Sequence, residues 1–198
     1  MTDTIDVIDH LVGITPDTVA DALRSRRPIT KEHAQKSWTA LFEPANASQA
    51  SLTERFSVAA FVAALHGDRG IAEFYGSKLT GLENGPVVLA TIKALAELNT
   101  TKGPYGHYPN GPLSSENVDG LILHIGPADR TILGDRLTAA IEHAHLLTYH
   151  PRDASPAELQ KLLSAGWSTT GVVTLSQLVS FLAFQIRVVA GLRVLAAA

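Results

Sequence analysis

The chain has 198 residues, 45% of them hydrophobic and 18% charged, which suits one domain with a filled core and excludes a disordered segment. A formal net charge of −3 without any run of Lys or Arg argues against nucleic acid and anionic membrane as partners. Cysteine is absent, which removes disulfides, thiolate-bound zinc, iron–sulfur clusters and every thiol nucleophile.

The opening stretch, MTDTIDVIDHLVGITPD, has three early aspartates and lacks a basic n-region and an apolar h-region. It does not read as a signal peptide, and the expected location is the cytoplasm. Thr15-Pro16-Asp17 reads as N-cap, N1 proline and first-turn acid of a short helix to about Arg26. Pro28 ends it, and Thr30 caps a second helix with Ala34, Trp38, Leu41 and Phe42 on one stripe. Ser51-Leu52-Thr53-Glu54 has the spacing of a capping box before a very apolar helix to Leu65. His66-Gly67-Asp68 is a break, a further helix runs from about Asp68 to Leu82, and Gly85-Pro86 opens another to about Leu98.

Residues 99–117, rich in Gly, Pro, Asn and Ser, read as a long loop, and loops of that length in compact domains are often functional. Tyr105, His107 and Tyr108 within it suit a lid, a subunit contact or simple local packing. Val118–Ile125 is apolar and fits helix or extended chain. Gly126-Pro127 opens a long helix to about Tyr149, stopped by Pro151. Ser155-Pro156-Ala157-Glu158 is a second capping box, Gly166 suits a left-handed C-cap, and Ser168 caps a final apolar helix.

That final segment, Val172–Leu195, is long enough to span a bilayer. It carries Gln177, Gln185, Arg187 and Arg193, and arginine near mid-helix is costly in lipid. The expected role is a core helix that also serves a subunit interface, with Arg187 paired to an acid of this or a neighbouring subunit. Trp38 and Trp167 are expected in the core. Strand signals are almost absent, so the fold class is all-α, in one domain spanning 1–198.

Two blocks carry a family resemblance. LTERFSVAAFVAALHGDRGIAEFYGSKL (Leu52–Leu79) is similar to the signature region of the alkylhydroperoxidase-D-like and carboxymuconolactone decarboxylase superfamily. His145–Leu192 resembles the C-terminal part of its peroxidase-related members, with an L-T-x-x-P turn, an A-G-W and a long helix bearing Phe181, Gln185 and Arg187. The resemblance implies a single AhpD-like helical bundle. In it, N-terminal helices occupy 1–50, the signature helices 51–98, the long loop 99–117 and the C-terminal helices 118–198.

In active members a glutamate and a C-x-x-C-x-x-x-H motif relay protons to a peroxide-attacking thiolate. Ungapped placement from Glu54-Arg55 puts Phe56 at the glutamate position, Asp68 and Ile71 at the cysteines and Tyr75 at the histidine. All four groups are replaced. The resemblance therefore implies a homo-oligomeric binding or partner protein, without thiol peroxidase activity but linked to antioxidant metabolism. It also implies a possible pairing with a cysteine-bearing relative. An alternative is cysteine-independent acid–base chemistry of lactone decarboxylase or isomerase type, with His66 as base, Asp68 as its orienting carboxylate and Tyr75 as acid. A further alternative is the family's peroxiredoxin-type activity itself. His66-Gly67-Asp68 reads equally as a plain helix–helix turn with Asp68 as N-cap.

No cofactor or metal is expected. His143 and His145 do not share a helix face, and His143 with His150, seven apart, lacks a completing carboxylate motif. No phosphate loop, G-x-S-x-G elbow or H-E-x-x-H motif is present.

Overall fold

The computed structural model describes residues 6–197. Among them the chain forms α1 (Val7–Val12), α2 (Val19–Ser25), α3 (Pro28–Phe42), α4 (Leu52–Leu65), α5 (Arg69–Thr80), α6 (Gly85–Asn99), α7 (Pro127–Tyr149), α8 (Pro156–Ser164) and α9 (Thr169–Ala196). Short 3-10 turns occupy Pro112–Glu116 and Pro151–Asp153, and no strand occurs among the described residues. The fold is all-α, as its sequence pattern predicts.

The architecture follows from α4. Ten of its 14 residues are buried, apolar groups point in every direction, and a helix with no polar face must be surrounded. α5, α6, α7 and α9 pack around it. Its start is fixed by the predicted capping box: Ser51 accepts from the Glu54 N–H and Glu54 reaches back to the Ser51 N–H. Glu54 also receives Arg136 Nε at 2.9 Å, and the Arg136 guanidinium lies 4.4 Å over the Trp167 ring. Trp167 Nε1 donates to the Arg136 carbonyl at 2.9 Å. Three elements distant in sequence are thereby clamped at the N-terminal end of α4. At its other end the Tyr149 hydroxyl donates to the Leu65 carbonyl at 2.6 Å.

α9 closes the bundle, touching α1, α2, α3, α4, α7 and α8. Ser168 caps it as predicted. Gln185 on its inner face is fully buried. Arg187 is exposed and donates to the Ala183 carbonyl at 2.8 Å, so the expected acid partner is not found among the described residues. The buried arginines lie elsewhere. Arg24 pairs with Asp6 at 2.7 Å and Asp9 at 2.8 Å, and Arg55 donates to the carbonyls of Ala50 and Leu41.

Several boundaries shift from expectation. The first described helix is α1, capped by Asp6, which the aspartate-rich opening stretch concealed; residues 1–5 of that stretch lie outside the described part. Thr18, not Thr15, caps α2, and Asp17 takes a left-handed conformation with φ 65°. Pro28 opens α3 from its first turn where it was expected to end the preceding helix. Val118–Ile125 forms an extended strap, pinned at Val118 by an isolated bridge to Gly106. At Ser155 the side chain accepts from the Glu158 N–H at 3.4 Å, and Gly166 is left-handed with φ 94°.

α7 is two helical pieces joined at Gly134, whose φ 73° and ψ 165° fall where only glycine is at ease. Replacing Gly134 with Ala is expected to cost about 1–3 kcal/mol, read as a lowered urea midpoint at unchanged slope. Gly191→Ala, where a Cβ meets nothing within 4 Å, is the contrasting control and should stabilise by up to about 1 kcal/mol.

Candidate functional site

The residues singled out by the family resemblance have separate structural duties. His66 ends α4 and its Nδ1 donates to the Val62 carbonyl at 2.9 Å. Burial lowers its pKa, an effect the Val62 bond opposes and nearby Arg187 reinforces. Asp68 caps α5 by accepting the Ile71 N–H at 2.9 Å, and its other oxygen binds Arg193 Nη1 at 2.7 Å.

Tyr75 is fully buried and donates to Gln185 Oε1 at 2.6 Å. Its ring stacks on Phe42 at 4.7 Å and stands 6.5 Å from Phe56. Burial drives its pKa well above that of a free phenol, so it is a poor proton donor. Ile71 is wholly enclosed. No hydrogen bond or ion pair joins any two of His66, Asp68 and Tyr75, so the expected acid–base set is not assembled. Positions 56, 71 and 75 are core, and 68 is a cap and a tether.

A different cluster is assembled at the C-terminal end of α7. A cavity of about 90 Å³ lies between α7, the 3-10 turn after it, α8 and the strap. Leu123, Leu146 and Leu162 supply apolar wall, while Glu142, His143, His150, Asp153, Glu158 and Lys161 bring polar groups to it. Among the described residues no three His, Asp or Glu side chains converge as a metal ion would require.

His150 is 3% exposed, with Nδ1 3.0 Å from Asp153 Oδ2. A carboxylate acceptor there holds a proton on Nδ1, so that in the neutral ring Nε2 is the acceptor nitrogen. Nε2 has no partner among the described residues. The imidazole is held flat against Tyr105, centroids 5.3 Å apart at 8°, with the His145 ring edge-on at 5.6 Å. This is the arrangement of a general base with its orienting acid.

The strap and loop are fastened to the same group. Asp153 Oδ1 accepts the His107 N–H at 2.8 Å, and Gly106, at φ 105°, comes so close that a Cβ would stand 2.7 Å from the Asp153 carboxylate. The Tyr105 N–H donates to the Tyr149 carbonyl at 2.9 Å and its hydroxyl to Leu121. Glu142 Oε1 accepts the Ile125 N–H at 2.9 Å. Tyr105 is therefore a packed wall of the site, whereas His107 is exposed and reaches Asp119 at 3.1 Å.

His143 and His145 are buried neutral bases. His143 Nε2 lies 3.4 Å from Ser176 Oγ, which itself donates to the Val172 carbonyl, so the histidine is the donor in that contact. His143 Nδ1 is buried without a partner. Burial lowers the His143 pKa and pushes that of His145 down to about 4.

Sequence reasoning considered these histidines only as metal ligands. The usable signal was His150-Pro151-Arg152-Asp153: proline favours a tight first turn, and residues i and i+3 eclipse in a 3-10 helix. Asp68 tests the structural assignment of the signature region. Asp68→Ala should cost about 1–2 kcal/mol by removing a cap and an ion pair, and Asp68→Asn should recover most of the cap.

The buried histidines set a pH dependence. Groups with folded pKa values below the unfolded value give stability that is present above about 6.5 and lost as pH falls toward 4. Urea unfolding free energy should fall with decreasing pH across that window, by up to about 1.4 kcal/mol per pH unit for each such proton. His145→Gln should flatten the slope, and an unchanged slope would contradict the assignment. No model of a protein family, no curated protein and no solved structure matches this chain.

Proposed function

We propose that this chain is a cysteine-independent protein that binds a small molecule in the cavity at the end of α7 and moves a proton on it, with His150 as base. The observation that carries this reading is the Asp153–His150 pair, 3.0 Å apart, with its unpartnered Nε2 on a residue lining a cavity of about 90 Å³. Proton transfer to Nε2 makes an imidazolium, and the Asp153 carboxylate stabilises that charge without taking the proton itself. Tyr105 and the strap exclude water from the ring, which strengthens the pairing.

Membership of the alkylhydroperoxidase-D-like family is part of this proposal and rests on the blocks Leu52–Leu79 and His145–Leu192. Without cysteine, the family's thiol peroxidase reaction is closed to the chain, and the acid–base alternative is retained at a different place from the signature motif. Cytoplasmic location belongs to the same proposal.

A screen of small lactones, carbonyl compounds and amines should yield a ligand or substrate with wild-type protein. His150→Gln and Asp153→Asn should lose turnover about 100-fold or more, and His66→Ala should leave it unchanged. Loss in His66→Ala with retention in His150→Gln would return the chemistry to the signature region. The same protein should reduce no alkyl hydroperoxide above a no-enzyme control.

A second reading, an oligomeric binding or partner protein, is favoured by the outer face of α9. Val173, Gln177, Ser180, Phe184, Arg187, Gly191 and Val194 recur at alternating steps of four and three, and all are exposed. That is the spacing of a helix–helix seam. The helix is long and apolar enough to cross a membrane by length and composition, and 39% of its most apolar window is buried within the chain. We place a second copy, or a cysteine-bearing relative, on this face. Sedimentation should show an oligomer at micromolar concentration that Phe184→Glu converts to monomer.

A further inference from the structure

The hydrogen-bond polarity of the cavity indicates what kind of molecule it takes. His150 offers Nε2 as an acceptor because its proton is committed to Asp153. Glu142 has one oxygen committed to the Ile125 N–H and the other free. Glu158 has one oxygen on Lys161 Nζ at 2.7 Å and the other free. Asp153 is occupied on both oxygens, by His150 and by the His107 N–H. Lys161, the one lysine or arginine in the lining, spends one of its three N–H donors on Glu158, and His124, exposed on the strap, can act either way.

Three carboxylates face one ammonium, and the free groups are acceptors. A carboxylate or phosphate ligand would meet three carboxylates against the single ammonium of Lys161, which is a costly mismatch. A neutral alcohol would satisfy one acceptor and leave the others unpaired. An ammonium group offers three donors and a positive charge, which suits a lining whose free groups on His150, Glu142 and Glu158 are acceptors. Size sets the remainder of the ligand. A cavity of about 90 Å³ is smaller than the roughly 150 Å³ that admits benzene. That leaves room for an apolar body of about four non-hydrogen atoms against Leu123, Leu146 and Leu162.

We propose that the α7–α8 cavity is a site for a small primary alkylammonium ion, held by Glu142, Glu158 and His150. This rests on the reading of the cavity as a small-molecule site with His150 Nε2 turned to its ligand, and specifies what that ligand is. In the bound state His150 Nε2 accepts a hydrogen bond from the ammonium, which keeps its proton because an alkylamine is a far stronger base than imidazole.

The test uses three probes of matched shape, propylammonium, propan-1-ol and propionate, titrated into the millimolar range while the histidine ring ¹⁵N signals are followed. Propylammonium should shift the His150 signals saturably, bind at least about tenfold more tightly than propan-1-ol, and lose about five- to tenfold in Glu142→Gln or Glu158→Gln. Glu158→Gln is the cleaner variant, because Glu142 also holds the strap. Propionate binding as well as propylammonium, propan-1-ol matching it, or indifference to Glu158→Gln would overturn the ammonium assignment and leave the cavity reading in place. No response to any probe, with helicity intact, would remove both.

Discussion

The constraint on which the fold depends is that α4 has no side fit for water. A segment reading Phe-Ser-Val-Ala-Ala-Phe-Val-Ala-Ala is stable as a helix only when enclosed, and its alanines allow neighbours to come close. Enclosure needs helices on every flank, and the chain supplies α5 and α6 from immediately downstream and α7 and α9 from much further on. The distant pair must be held in place. That is the work of Glu54, Arg136 and Trp167 at one end and of Tyr149 against Leu65 at the other. The second fastening sits beside His150, so the helix that organises the core also locates the histidine pair.

What was legible in the sequence was local. Ser51, Asp68 and Ser168 act on backbone groups three residues away, so a cap can be read from a short window. Gly166 announces its own conformation. Pro28 was misread because proline is as compatible with a first helical turn as with a stop, and only its neighbours in space decide. The extended strap was ambiguous for the same reason: Leu123 and Ile125 are buried while Val118, Leu121 and Ile122 stay exposed, and only the neighbouring surface decides which.

The candidate site was the least legible part. Its dyad is local, but what gives the dyad meaning comes from Tyr105, Glu142, Glu158 and Leu123, spread over more than 50 positions. The signature-region residues attracted attention through likeness to a motif. The structure gives two of them full partners, Ile71 and Arg193 for Asp68 and Gln185 for Tyr75, and turns His66 Nδ1 to the Val62 carbonyl with no carboxylate to orient it. A histidine already paired to a carboxylate, more than the presence of titratable residues, separates the two regions.

The break at Gly134 has a bearing on how this site tolerates change. Each residue of an α-helix turns the following ones by about 100°, so in an unbroken α7 an insertion near Pro127 would swing His143 away from the cavity. The glycine joint interrupts that transmission. The stretch before it is anchored by buried Leu133 alone, while the stretch after it is held in phase by Arg136, Glu142 and Tyr149. One element therefore contains two pieces whose helical phases are set separately.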